Sequence, residues 1–117
     1  MGRFLGQSRF RSVLASGGQQ AFDISTNTTL AVSSVYYVNT TAAAVTLTLP
    51  TAPNSGEAID IIDAFGKFDT YNCIILPSGD GSTVGGFADN LTLNLARVNI
   101  RCQYSLGKND WVVTNLV

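Results

Sequence analysis

The stretch from Val45 to Asp63, VTLTLPTAPNSGEAIDIID, decides the fold class. Its first half alternates strictly. Val45, Leu47 and Leu49 share one side and Thr46 and Thr48 the other, which is the period of a strand with one buried face. Pro50 and Pro53 end the run, because proline cannot donate to a sheet ladder. The segment APNSGE reads as a turn. Beyond it the alternation resumes, with Ile59 and Ile61 opposite Asp60. Two such runs joined by so short a connection predict neighbours that pair antiparallel.

The same period extends both ways. AFDIS (21–25), LAVSSVYYV (30–38), AVTLTLP (44–50), AIDIID (58–63), YNCIILP (71–77), LTLNL (91–95), VNIRCQY (98–104) and WVVTNLV (111–117) all read as strands. LGKND (106–110) reads as a tight turn. No segment after residue 20 holds a helical period. About eight strands separated by regular turn signals predict an all-β domain, an antiparallel β-sandwich or barrel of jelly-roll-like form. Its expected core is Val45, Leu47, Leu49, Ile59, Ile61, Leu91, Leu93, Leu95, Val98, Ile100 and Cys102, which keep one parity within their strands.

Composition narrows the function. Of 117 residues 45% are hydrophobic but only 13% charged, about half the usual charged share of ~25%. Thr, Ser, Asn and Gly fill the gap. Such a surface suits contact with other protein surfaces, because a hydroxyl or amide costs less to desolvate than a charge. Charge is also unevenly placed. Residues 1–20 carry Arg3, Arg9 and Arg11 and no acid, whereas residues 21–117 carry four bases and eight acids, for a net −1. The acidic body argues against nucleic acid as a partner. No stretch approaches the ~20 apolar residues of a membrane-spanning helix, and no apolar run of signal-peptide length follows the first arginines.

Residues 1–20, MGRFLGQSRFRSVLASGGQQ, form a unit of different character, an extended N-terminal arm ahead of a body at 21–117. Arginine interspersed with Phe and Leu is an interface composition. Arg3, Phe4, Leu5, Arg9, Phe10 and Arg11 are therefore the expected docking residues.

Nothing in the chain assembles into a catalytic set. There is no histidine, so the usual general base and the usual metal ligand are both missing. No cofactor or metal site is expected. Cys73 and Cys102 are too few for a disulfide framework or a zinc site and read as buried free thiols. GDGSTVGG (79–86) is glycine-rich but lacks the Lys-Ser/Thr ending of a phosphate loop, so it reads as a plain loop. Asp60 and Asp63 differ in parity, which sends them to opposite faces, and they read as a solvated strand edge. Tyr36 and Tyr37 also face opposite ways. One belongs to the core and the other to a subunit contact or ligand face, and both are candidate contact residues. Trp111 reads as a core or edge cap.

The stretch from Tyr36 onward resembles a β-rich domain of tailed-bacteriophage virion proteins, among them fibre, knob and head-decoration proteins. VTLTLPTAPNSGEAIDIIDAFGKFDTYNCIILPSGDGSTVGG and the terminal GKNDWVV carry the resemblance, over roughly two thirds of the chain. MGRFLGQSRF is similar to N-terminal arms that dock such domains onto a particle. Cys73, Cys102 and the shortness of the chain depart from that pattern. The resemblance implies a non-catalytic virion protein, assembled in the host cytoplasm, that associates with itself as a homotrimer and with the major capsid protein or another virion protein. The expectation is a capsid decoration (cement) protein. The alternative is a short tail fibre or tail adaptor whose β-domain binds a host glycan. A simple carbohydrate-binding module would not need the arm.

Overall fold

The computed structural model describes residues 20–116. They form ten strands and no helix. The strands are β1 (Gln20–Ile24), β2 (Thr28–Thr29), β3 (Ser34–Val38), β4 (Val45–Thr48), β5 (Ala58–Asp63), β6 (Cys73–Leu76), β7 (Thr83–Val84), β8 (Leu91–Leu93), β9 (Asn99–Ser105) and β10 (Asp110–Leu116). A six-stranded sheet runs β1-β3-β5-β9-β10-β7, and a four-stranded sheet runs β2-β4-β6-β8.

All-β character is therefore as expected, but the pairing is mixed. From β1 to β6 the chain alternates between the sheets, and each strand pairs in parallel with the strand two places on: β1 with β3, β3 with β5, β2 with β4, β4 with β6. β7 lies parallel to β10. Among the described residues the strand pairs β5–β9, β9–β10 and β6–β8 are antiparallel. The antiparallel, eight-strand expectation fails for a physical reason. A short connection does not say whether the chain doubles back within one sheet or crosses to the facing sheet, about 10 Å away. PTAPNSGE crosses: β4 lies in the small sheet and β5 in the large one. Two crossings return the chain to its first sheet pointing the same way. A tight hairpin joins β9 to β10 through residues 106–109, with Lys108 N–H donating to Ser105 O and Asn109 N–H to Leu106 O.

The crossing after β4 is shaped by its turn residues. Glu57 N–H donates to Asn54 O at 3.1 Å and the Glu57 carboxylate accepts Asn54 N–H at 2.7 Å. Gly56 takes φ 94° at the third position of this turn, a value that glycine reaches without strain.

The core lies between the sheets and follows the period of two. In the large sheet Phe22, Tyr36, Ile61 and Ile100 stand in one cross-strand row. In the small sheet Val45, Cys73 and Leu93 form another. Val45, Leu47, Leu49, Ile59, Ile61, Ile100 and Cys102 are buried, and Leu91 and Val98 are half-buried against them. Leu95 is the exception. β8 ends at Leu93, and Leu95 stands in solvent. Cys73 and Cys102 are buried free thiols. Trp111 is fully buried beside Tyr104, their ring centroids 5.4 Å apart.

Candidate functional site

The tyrosine pair divides as the alternation requires. Tyr36 faces the small sheet and is 3% exposed. Its hydroxyl accepts Ala31 N–H at 2.8 Å, and Phe22 stacks on its ring. Its surroundings thus belong to its own chain, and only Tyr37, 39% exposed, presents a ring to solvent. The arm residues Arg3, Phe4, Leu5, Arg9, Phe10 and Arg11 lie outside the described residues.

Tyr37 lines an open cleft of about 320 Å³ with Asp23, Ile24, Ser25, Asn39, Ala64 and Phe65. Parallel pairing creates this cleft. Asp23, Tyr37 and Ile62 are register partners on the outer face of β1, β3 and β5. The segments leaving these strands remain together, because Asn39 N–H donates to Ile24 O at 2.8 Å and Ala64 N–H to Val38 O at 3.1 Å. Phe65 is 54% exposed. Asn39 is held in place: its Oδ1 accepts the Thr41 N–H at 2.9 Å and the Thr41 hydroxyl at 2.7 Å. Its Nδ2 remains the available donor. Among the described residues nothing hydrogen-bonds to the Asp23 carboxylate. Of these cleft residues the sequence marks Tyr37, as one member of the undivided pair with Tyr36. Asp23 and Phe65 carry no motif, Asn39 heads only an N-x-Thr triplet of the kind a Thr-rich chain holds by chance, and the three meet only through parallel stacking.

No protein-family model matches the chain, and no curated protein matches it.

The other sequence candidates hold the fold together. Asp60 and Asp63 do face opposite ways, but neither is a solvated edge. Asp60 is buried on the outer face of the large sheet and takes a two-pronged ion pair from its register partner Arg101, at 2.7 and 3.0 Å. That hydrogen-bonded carboxylate raises the Arg101 pKa above its ordinary value. Asp63 points inward and is 1% exposed. Its carboxylate accepts the backbone N–H groups of Lys67, Phe68 and Arg97. The parity argument gives direction, not exposure. Cross-strand Arg101 and the loops folding back on Asp63 supply the burial.

The glycine-rich segment is a tied loop that contains β7. Hydrogen bonds from the Ser78 and Ser82 side chains, then from Ser82 and Ala52 N–H, hold the Asp80 carboxyl well below the usual carboxylate range. Thr83 Oγ1 and Gly86 N–H both donate to the buried Asp110 carboxylate, at 2.6 and 2.9 Å. Among the described residues no three His, Cys, Asp or Glu side chains group as a metal site.

A second surface feature is an apolar seam between the sheets. Leu91, Leu93, Leu95, Val98, Ile100 and Val113 line a groove of about 260 Å³, which adjoins a hollow of about 490 Å³ lined by Val84, Phe87, Leu91 and Val113. Phe87 is 71% exposed and Leu95 65%. Among the described residues, one edge of β8 and the edge of β10 beyond Trp111 have no strand partner.

Proposed function

We propose that the chain is a non-catalytic structural component of a tailed-phage virion, a capsid decoration (cement) protein. In this reading the β-body forms an outward knob that associates as a homotrimer. Residues 1–20 attach it to the major capsid protein or another virion protein. The observation that supports self-association most is the seam. It joins half-buried aliphatic side chains, two exposed large apolar side chains and two free strand edges, and none of its lining side chains but Asp89 is charged. A second copy of the chain would cover the apolar floor and could satisfy the free edges. The virion assignment itself rests on the sequence resemblance from Tyr36 onward and on the basic arm.

Particle binding tests the reading. Protein lacking residues 1–18 should remain folded and self-associated yet fail to bind particles that the full chain coats. Undiminished binding of the truncated protein would overturn the attachment role. Copy number separates the two virion assignments: decoration needs many copies per particle, a tail fibre few. The alternative, a short tail fibre or adaptor with a glycan-binding β-domain, is favoured by the Tyr37 cleft.

A further inference from the structure

We propose that the cleft between the ends of β1, β3 and β5 is a saccharide subsite, with Tyr37 and Phe65 as stacking platforms and Asp23 and Asn39 as hydroxyl partners. The inference rests on the glycan-binding reading just given and names its site. Tyr37 and Phe65 both line the cleft and both expose much of their rings. An exposed ring offers an apolar, π-rich face that the C–H face of a pyranose can cover. The polar side chains that line the cleft are few, Asp23, Ser25 and Asn39, as in small-molecule sites generally.

Their donor and acceptor types choose the ligand class. Asp23 offers only acceptors. Asn39 has spent its Oδ1 on Thr41, so it offers the Nδ2 donors. A sugar hydroxyl accepts from Asn39 and donates to Asp23, and neighbouring hydroxyls on one ring can serve both. An ammonium or guanidinium group could sit between the aromatic rings and pair with Asp23. It has no acceptor for the Asn39 amide, however, and would leave that donor unused. Ser25, which can both donate and accept, fits the saccharide equally well.

The test uses the full chain on an array of neutral and N-acetylated oligosaccharides, followed by titration of the strongest ligand. Tyr37→Ala, Phe65→Ala and Asp23→Asn are then compared with the unmodified protein. All three side chains are exposed, so the variants should keep the unmodified melting temperature. Each should weaken binding roughly tenfold or more, the loss expected of a central contact. If the unmodified protein binds a saccharide and the variants bind it equally well, the glycan-binding reading survives and the cleft is the wrong site. If the unmodified protein binds no saccharide, both fall. Capture of a peptide of residues 1–18 in the cleft, without any saccharide signal, would also overturn the proposal in favour of an arginine-docking site.

Discussion

The Asp63 carboxylate accepts the backbone N–H of Arg97 at 2.8 Å, across thirty-four residues of chain. The same carboxylate takes Lys67 N–H at 3.0 Å and Phe68 N–H at 3.2 Å. One buried charge thus fastens the loop after β5 and the turn before β9 to each other. Arg97 adopts φ 64°, a left-handed conformation that a non-glycine residue keeps only when its surroundings enforce it. A Cβ on Gly66 would lie 2.9 Å from Arg97 Nε, so the two loops are also in close contact.

Asp63→Asn replaces an acceptor-only group with one that carries two donors, which would face backbone donors. Hydrogen bonds to a charged group are worth about 1.5–3 kcal/mol each, and an unpaired buried donor costs about 1–3 kcal/mol. Chemical denaturation should show a loss of at least about 2 kcal/mol. A change within about 0.5 kcal/mol, typical of an ordinary surface substitution, would show that the tie is not structural.

Leu47 and Leu95 hold the same apparent rank in the sequence, each in an alternating run, yet Leu47 is fully buried and Leu95 is exposed. Leu47→Ala should cost about 2–5 kcal/mol through the cavity it leaves. Leu95→Ala, measured in dilute protein, should stay within about 0.5 kcal/mol. Equal losses at the two positions would contradict the placement of the end of β8.

The period of two made the strands and their inward parity legible, because a sheet with one buried face imposes that alternation on the chain. Val45, Leu47, Ile59 and Ile61 could be assigned without any tertiary information. The partners could not. Whether PTAPNSGE turns back or crosses depends on the facing sheet, and no local residue encodes it. Thr28–Thr29 and Thr83–Val84 are too short to show a period, so β2 and β7 escaped notice. The cleft was half legible: the sequence sends one of Tyr36 and Tyr37 outward without saying which, and the neighbours of Tyr37 depend on β1, β3 and β5 stacking in parallel.

The buried thiols set a pH dependence. Burial, aided by the negative charge of Asp63, pushes Cys73 from its ordinary 9.0 up to about 12. Burial, with Asp60 adding to it, pushes Cys102 to about 12 as well. In the unfolded chain both ionise near their ordinary value. The unfolded state therefore binds fewer protons than the folded state above about pH 9, and stability falls as pH rises from there toward 12. Well below pH 9 the thiols are neutral in both states and contribute no slope. Urea midpoints should decline between pH 9 and 11 more steeply for the native sequence than for Cys73→Ala/Cys102→Ala. Parallel profiles for the two proteins would contradict it. Native protein at pH 8 should also resist iodoacetamide until it is unfolded.

If the chain associates with itself as proposed, the seam is where its copies should meet. Leu95 and Phe87 stand exposed at its margins, and Leu91, Val98 and Val113 lie half-buried between them. Water against so many adjacent apolar groups is unfavourable, and covering them would recover about 25 cal/mol for each Å² removed from solvent. A charge placed there would have to be desolvated on association, at a cost well above the gain from one leucine. Leu95→Asp together with Phe87→Ser should thus abolish self-association while leaving the monomer folded, since both side chains already face water. Sedimentation at micromolar concentration should give a trimer mass for the unmodified protein and a mass near 12.4 kDa for the double variant. An unmodified protein that sediments as a clean monomer across the concentration range would sink self-association of the free protein and leave the arm to supply particle affinity alone. A double variant that remains trimeric would instead place the contact elsewhere, with the outer face of the large sheet around half-buried Val35 of β3 and Val112 of β10 as the next surface to alter.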